Sequence, residues 1–436
     1  MYVADSRAAG PPVPADGAVR LPAGRRRAAV APTVLALGTV SLVTDVSSEM
    51  VTAVLPLYLV TGLGLSPLGF GLLDGVYNGF SALVRLAGGH LADRGGGRHK
   101  WIAGTGYAVS ALCKPLLLLA HTLTPIGLVL AADRTGKGLR TAPRDALISL
   151  SSTPETRGRA FGVHRAMDTA GALLGPLTAF LILRATVDGY DAVFTVSFCV
   201  AVAGVLVLVL FVPGGSRAEG AGGGPALRSG SPGRPTLRAA VSLLRRRELR
   251  RIAVCALLLG LATVSDSFVY LLLQRRLGVP DRLFALLPLG TAAAFLLLAV
   301  PLGRLADRVG RWRVFLTGHG ALLTAYGLLL TSWHAPALPY AVLTLHGAFY
   351  AATDGVLMAA ASEGVPEALR SSGLALVQTG QALARFACSL GFGALWTVWG
   401  DRGALAASTA ALAVCAAFSL VLRPGAAATD RPEGAV

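Results

Sequence analysis

Long apolar runs alternate with short polar segments along most of the chain. A helix needs about 20 apolar residues to cross a bilayer, and the runs have roughly that length. Strands of a membrane barrel are about ten residues long and alternate apolar with polar positions, which these runs do not. The pattern therefore predicts twelve spanning helices, near residues 33–60, 68–91, 101–120, 125–148, 160–183, 192–212, 252–273, 283–303, 314–331, 339–361, 373–396 and 404–422.

A polar stretch in the middle of the chain divides the predicted spans into two groups of six. It contains three consecutive Gly (222–224) and three consecutive Arg (245–247), with several Pro and Ser, a composition typical of a flexible linker. We therefore predict an all-α membrane protein with two six-helix, pseudo-symmetric halves. The predicted segments are an N-terminal tail (1–32), an N-terminal half (33–212), a linker (213–251), a C-terminal half (252–422) and a C-terminal tail (423–436).

The composition and the distribution of charge agree with a membrane protein. Hydrophobic residues make up 54% of the chain and charged residues 14%, which excludes an ordinary soluble enzyme and a disordered chain. Of the Lys and Arg residues outside the spans, 26 lie on the side of both termini and five on the other. By the positive-inside rule, both termini and the linker are cytoplasmic. The net charge of +16 then reflects orientation and attraction to anionic lipid headgroups, and nucleic acid is not an expected partner.

A repeated motif relates the two halves. The sequence G-H-L-A-D-R at 89–94 returns as G-R-L-A-D-R at 303–308, an offset of 214 residues. Parallel repeats around a central cavity are typical of transporters that expose one site to the two sides of the membrane in turn. The sequence contains no P-loop and no hydrolase or metal-site motif, so we do not expect an enzyme, a metal site or a bound cofactor.

From about residue 33 to residue 422 the sequence resembles transporters of the major facilitator superfamily. G-R-L-A-D-R-V-G-R-W-R at 303–313 fits the family's loop motif closely, and the first copy departs from it by one extra Gly among 95–97. The resemblance implies twelve helices and transport by alternating access. It also implies that the acid and the Arg of each loop brace the helix ends and help to gate the protein; these residues are Asp93, Arg94, Asp307 and Arg308.

Three further stretches carry more specific resemblances within this superfamily. T-D-V-S-S-E-M at 44–50 and G-K-G-L-R-T-A-P-R-D-A-L at 136–147 are similar to prokaryotic efflux-type permeases, which implies the bacterial cytoplasmic membrane. Gly171, Gly175 and Pro176 resemble the first part of the family's antiporter motif, whereas positions 179–180 depart from it. The resemblance favours export by antiport, and ordinary helix packing at these residues is the alternative.

Charged residues inside the predicted spans are candidates for function, because charge within a bilayer is costly. Helix 4 carries a stripe of charge at positions 133, 137, 140 and 144, which share one helix face. Depths estimated at about 1.5 Å per residue divide the acids and bases into two layers. One layer contains Asp45, Lys137, Arg140 and Asp168, and the other contains Glu49, Asp74 and Arg134.

We expect these layers to join proton coupling to substrate binding, since a buried carboxyl near cations changes its protonation as the cavity opens. The family's helix-4 coupling Arg is matched approximately by Arg134 with Gly138. The expected proton-coupling residues are Asp45, Glu49, Arg134 and Asp168. The expected substrate-binding residues are Lys137, Arg140, Arg144, Asp74, Tyr350, Asp354, Gln378, Gln381 and Arg385. The alternative roles are permanent ion pairs and hydrogen bonds between helices.

The sequence thus favours a monomeric secondary exporter of a small organic molecule, driven by the proton gradient without a cofactor. A negatively charged or zwitterionic group of the substrate, held by the helix-4 cations, is one possibility, and internal pairing of those cations is another. Two alternatives remain open: a proton-coupled importer of an anionic metabolite, and a membrane receptor or scaffold that transports nothing.

Overall fold

The computed structural model describes residues 31–94, 99–186, 189–213, 245, 247–332, 335–363 and 370–422, and these ranges contain helices and no strand. The first half comprises α1 (Pro32–Leu57, continued by a π-helical turn at Tyr58–Gly62), α2 (Pro67–Arg94), α3 (His99–Leu119), α4 (Leu123–Leu150), α5 (Pro154–Ala185) and α6 (Gly189–Phe211). The second half comprises α7 (Arg247–Ala262), α8 (Asp266–Leu277), α9 (Asp281–Phe284), α10 (Leu287–Val309), α11 (Arg311–Leu330), α12 (Leu338–Glu363) and α13 (Arg370–Val421).

These helices fall on the predicted spans. Eight helical segments of the described chain are long and apolar enough to cross a membrane. Three other helices, α2, α4 and α12, have 28, 28 and 26 residues and carry charged residues within their length. The last two predicted spans form one element, α13, which bends at Gly400, where φ is 73°. The number twelve therefore stays a prediction, as do the boundaries of both tails and the linker, which lie almost entirely outside the described residues.

One predicted span is interrupted well inside its length. The run at 252–273 was expected to form a single helix, but the structure interrupts it at residues 263–265, between α7 and α8. Two side chains of neighbouring helices take over backbone groups there: the Val264 amide donates to the Tyr326 hydroxyl at 2.9 Å, and the Cys388 thiol donates to the Thr263 carbonyl at 3.1 Å. Non-helical backbone at membrane depth is tolerated where the protein satisfies it in this way.

Small residues let the helices of the first half approach closely. A Cβ atom at Gly171 would touch the backbone of α1 at Leu42, and the backbones of α3 and α4 meet at Gly106 and Gly136. The contact of α1 with α6 is polar, since Ser47 and Ser197 each donate their hydroxyl to the other's backbone carbonyl, at 2.7 and 2.8 Å. Small residues and interhelical hydrogen bonds are the usual means of helix association in lipid.

The two halves meet at one end of the bundle, the end at which α1 finishes and α2 begins, which we call the distal end. There α2 packs on α13, and the Leu68 amide donates to the Thr397 hydroxyl at 3.1 Å. Four rings lie beside this contact with neighbouring centroids 4.8–5.8 Å apart. This distal aromatic cluster consists of Phe70, Phe268, Phe392 and Trp396. The structure is therefore closed at the distal end.

Candidate functional site

A cavity of about 500 Å³ lies between the two halves. A volume of this size lies within the range of pockets that bind small organic molecules. Aromatic side chains contribute much of its wall, among them Tyr77, Tyr270, Phe295 and Phe349. Its charged lining residues come equally from the two halves: Glu49, Arg134 and Lys137 from the first, and Asp266, Asp354 and Arg385 from the second.

The interruption between α7 and α8 forms part of the cavity wall. Residues 263–267 all line the cavity, and α8 begins there with Ser265 at its N-cap position. The N-terminus of a helix carries a partial positive charge and unpaired amide groups. A half-helix that begins inside the membrane at a cavity is a recurrent feature of substrate sites in transporters.

Glu49 and Lys137 face each other across the cavity wall. The Lys137 Nζ lies 3.7 Å from the Glu49 Oε1, and the two side chains are 36% and 27% exposed. Because both groups remain accessible to water, the ion pair is weak compared with a buried one. A proton or a charged substrate group can therefore compete for either partner. The sequence had assigned these two residues to different layers, whereas the structure brings them together.

Arg134 is held by a second cluster that reaches the cavity edge. Its Nη2 lies 2.6 Å from the Asp133 Oδ2, and Asp133 also accepts a hydrogen bond from Ser110 and lies 3.7 Å from the Lys114 amine. The guanidinium lies 3.8 Å from the centroid of the Tyr77 ring, a cation–π contact. Arg134 therefore lines the cavity with a guanidinium that Asp133 and the Tyr77 ring hold in place.

Two predicted substrate-binding cations lie behind the wall and outside the cavity lining. Arg140 is 3% exposed and donates to the Asp45 carboxylate at 3.1 Å. Arg144 is buried as well, at 3.0 Å from Asp145 and 3.8 Å from Asp168. The two predicted proton-coupling acids Asp45 and Asp168 are thus each placed beside an Arg of α4.

The second half holds its charges differently. Asp266 accepts a hydrogen bond from the Tyr350 hydroxyl at 2.5 Å and lies 3.4 Å from the buried His346 Nε2. Asp354 and Arg385 are exposed to the cavity, and in the described part of the chain neither has an oppositely charged group within 4 Å. Tyr350, Asp354 and Arg385, all predicted substrate-binding residues, are therefore brought together at one wall.

Three other predicted residues do not line the cavity. Gln378 is exposed and its amide lies 3.7 Å from the Met358 sulfur, and Gln381 lies one turn further along α13. Asp74 is 5% exposed and accepts a hydrogen bond from the Ser389 hydroxyl at 2.6 Å. Ser389 belongs to the second half, so this bond joins the halves.

The predicted gating and packing residues are only partly described. Asp307 is 69% exposed and lies 3.5 Å from Arg311, one turn away on the next helix; the side chains of Asp93 and Arg94 lie outside the described part of the structure. Gly175 packs closely on α1 at Val46 and Glu49, and Pro176 lines the cavity. Among the described residues, no group of three or more His, Cys, Asp or Glu side chains is arranged to hold a metal ion.

The sequence reasoning missed several lining residues. Tyr77 and Asn78 lie one turn from Asp74 on α2, and Thr263, Ser265 and Ser267 surround the helix interruption. Polar residues within an apolar run were the available signal for the last three. It also missed the repeat of Gly71, Gly75 and Gly79, at four-residue spacing, where α2 packs on α13.

Comparisons with known proteins agree on one family. The family model described as Major Facilitator Superfamily matches residues 37–389 and 267–435. An uncharacterized MFS-type transporter of Methanocaldococcus jannaschii is 29% identical over 372 residues, which cover 83% of this chain and 88% of that protein. The multidrug resistance protein MdtH of Photorhabdus laumondii is 30% identical over 169 residues, which cover 38% of this chain and 40% of that protein.

Solved structures show the same fold at low identity. The nucleoside transporter NupG matches with a TM-score of 0.74 at 12% identity, over 89% of this chain and 98% of that one. A bacterial homologue of the human lysosomal transporter Spinster, in an inward-facing and unoccupied conformation, matches with a TM-score of 0.71 at 16% identity, over 89% and 96%.

Proposed function

Because the chain belongs to the major facilitator superfamily and is a multi-pass membrane transporter with no enzymatic activity, we propose that it exports a small organic molecule in exchange for protons. In this proposal the proton gradient is the energy source, no cofactor takes part, and the protein acts as a monomer in the bacterial cytoplasmic membrane. The proximal end, opposite the distal end, faces the cytoplasm with both termini, and its basic loops contact anionic lipid headgroups.

The observation that carries the proposal is the Glu49–Lys137 pair in the cavity wall. An acid paired loosely with a base, accessible to water and within reach of the substrate, can hold either a proton or its ion-pair partner. When a proton occupies Glu49, Lys137 is free to bind a negative group of the substrate. Proton binding and substrate binding are thereby linked at one place, which coupled transport requires.

The chemistry of the opposite wall supports a substrate with both a charged and an apolar part. Arg385 and Asp354 present charges of both signs without an ion-pair partner within 4 Å in the described residues, and Phe295 and Phe349 line the space between the walls. A zwitterionic or anionic molecule with an aromatic or aliphatic body fits this lining. Export, as opposed to import, is supported by the efflux-type motifs and by the name of the partial relative MdtH.

The direction of proton movement tests the proposal, and the test does not depend on how the protein is oriented. Purified protein is reconstituted in liposomes with trapped pyranine, and amino-acid zwitterions, carboxylate anions and lipophilic cations are added outside in turn. Downhill entry of a substrate by antiport expels protons, so we expect the lumen to become alkaline. Glu49→Gln is expected to reduce that alkalinisation at least tenfold.

The matched control is Asp191→Asn, which removes an exposed carboxylate at the start of α6, outside the cavity lining. It is expected to behave as the wild type. Acidification of the lumen would replace the proposal with the second candidate, import of an anionic metabolite by proton symport, which the exposed cation Arg385 in the cavity lining favours. Substrate uptake without any change of lumen pH would contradict proton coupling altogether.

A further inference from the structure

Asp74 is a buried acid without a basic partner. Asp74 is 5% exposed, and its carboxylate accepts a hydrogen bond from the Ser389 hydroxyl at 2.6 Å, with the hydroxyls of Ser265 and Ser267 as further neighbours. Among the described residues, no Lys, Arg or His side chain lies within 4 Å of it. By contrast, Asp45, Glu49 and Asp133 each have a cation within that distance. Asp74 therefore differs from these acids in the cost of carrying a charge.

The position of Asp74 couples it to the movement of the halves. It projects from α2 onto α13, and the backbones meet closely there, since a Cβ atom at Gly71 would touch the Ser389 carbonyl. The distal aromatic cluster lies immediately beyond this contact. When a transporter of this architecture opens at its distal end, the halves separate there. Separation breaks the Asp74–Ser389 bond and admits water to the carboxylate.

The described groups that face Asp74 offer hydroxyl donors and the partial positive charge of the α8 N-terminus, but no basic side chain. From α8, Ser265 and Ser267 bring neutral hydroxyls and Asp266 brings a like charge. From α13, the other titratable neighbour is the thiol of Cys388. Burial disfavours the ionised carboxylate, and neutral hydroxyl donors offset only part of that free-energy cost. The closed distal end therefore favours a proton on Asp74.

We propose that Asp74 is a proton-binding site whose protonation closes the distal end of the transporter. In the open state, water from the distal side hydrates the carboxylate, and the group exchanges its proton with that water. Only the protonated, neutral side chain re-enters the contact between α2 and α13. The step is balanced, because one proton is bound from distal water on closing and one is released when the carboxyl ionises.

The release path of this proton leads towards the cavity. A small cleft beside Asp74 is lined by Thr52, Tyr77 and Ser267, and these three residues also line the main cavity. The Thr52 and Tyr77 hydroxyls are hydrogen-bonded to each other at 2.6 Å. These hydroxyls lie between Asp74 and the side of the cavity where the Glu49–Lys137 pair lies, so a proton that Asp74 releases as the distal end opens is released next to them.

This inference rests on the proton coupling proposed above, and a measurement without substrate separates the two. Nitroxide labels are placed at positions 121 and 398, exposed at the distal end on opposite halves, in a full-length chain whose five native cysteines are replaced by alanine. Their separation is measured by pulsed electron resonance from pH 5 to pH 9. Since the closed state holds the proton more tightly, the open population rises with pH, by up to about tenfold per unit for one proton.

Asp74→Asn keeps the shape and the bond to Ser389 but cannot ionise, so we expect its open population to be independent of pH. Ser389→Ala keeps the acid and removes its donor, so the distal end opens further at every pH while the pH dependence remains. Asp191→Asn, the control, follows the wild type.

A wild-type distal end that does not respond to pH, or an Asp74→Asn variant that keeps the wild-type response, would overturn the role of Asp74. If Asp74→Asn does not fold, a Ser389→Ala protein with wild-type opening at every pH overturns it equally. If one of these results overturns the role of Asp74 but the liposomes still exchange protons for substrate, the proposed function is retained. Whether that exchange occurs is measured separately, with pyranine.

Discussion

The two halves of the transporter differ in how their intramembrane charges are paired. In the first half, α4 pairs its cations with acids of its own and of neighbouring helices: Arg140 with Asp45, Lys137 with Glu49, and Arg134 with Asp133. In the second half, Asp266 is bound by neutral or weakly basic groups, and Arg385 and Asp354 stand exposed at the cavity. We infer that the buried ion pairs of the first half act as a structural scaffold, whereas the second half offers its charges to the substrate; the accessible Glu49–Lys137 pair belongs to neither group.

A charge inside the membrane is therefore not by itself a sign of substrate binding. Burial and partners separate the roles: Arg140 is 3% exposed and fully engaged, whereas Arg385 is exposed and has no carboxylate within 4 Å among the described residues. An engaged charge acts on stability, because its removal leaves a buried ion without a partner. An exposed charge acts on affinity, because its partner arrives with the substrate.

The largest expected effect is on the stability of the first half. Arg140→Ala leaves Asp45 buried without its partner and also removes a guanidinium 4.5 Å from the Tyr107 ring. We expect a loss of about 3–5 kcal/mol of folding free energy. It would be measured as a fall in melting temperature and in the yield of monodisperse protein in detergent. Adding Asp45→Asn should restore part of the loss, and an Arg140→Ala protein as stable as the wild type would contradict the scaffold role.

The next effect is on substrate affinity and belongs to the second half. Arg385→Gln removes an exposed cation that has no carboxylate within 4 Å among the described residues, so the melting temperature should stay near the wild-type value. A hydrogen bond to a charged group contributes about 1.5–3 kcal/mol, which corresponds to about a ten- to hundredfold rise in KM. KM is measured in the pyranine liposomes with whichever probe alkalinises the lumen. Arg250→Gln, exposed on α7, is the matched control; equal effects of both substitutions would remove the distinction.

The smallest expected effect concerns the Glu49–Lys137 pair. Glu49 and Lys137 are ion-paired like the scaffold and exposed like the second-half charges. A double-mutant cycle of Glu49→Gln and Lys137→Met in thermal unfolding should give a coupling below about 1 kcal/mol, as for other accessible pairs. A coupling as large as that of Asp45 with Arg140 would place the pair in the scaffold and weaken its proposed role in coupling.

Much of the fold followed from the sequence because crossing a bilayer requires only length and apolarity. The predicted spans coincide with helices, and the family predicted from the loop motifs is confirmed. The interruption at 263–265 was not foreseen, since none of these three residues is Gly or Pro. Its cause is tertiary: the hydroxyl of Tyr326, 62 residues away, takes the place of a helical hydrogen bond.

The site was predictable as a set of charges but not as a set of partners. The position of a residue along a helix gives its depth in the membrane, but it does not determine which residue of a neighbouring helix it contacts. Asp74 and Glu49 have similar depths, yet one bonds to Ser389 across the junction and the other to Lys137 in the cavity wall. The contact of Tyr350 with Asp266 in the second-half wall could not be predicted either, because it depends on packing between helices that are far apart in the sequence.

The distal aromatic cluster has a consequence for temperature. Only one of its four rings, that of Phe70, comes from the first half, and it meets Phe268 edge to face at 4.9 Å. Opening therefore withdraws a single ring into water, at a cost of about 1.5–3 kcal/mol. Such burial is driven largely by entropy near room temperature and weakens on cooling. Cold should therefore favour the distally open form, so that the balance between the two faces of this transporter shifts with the temperature at which its cell grows.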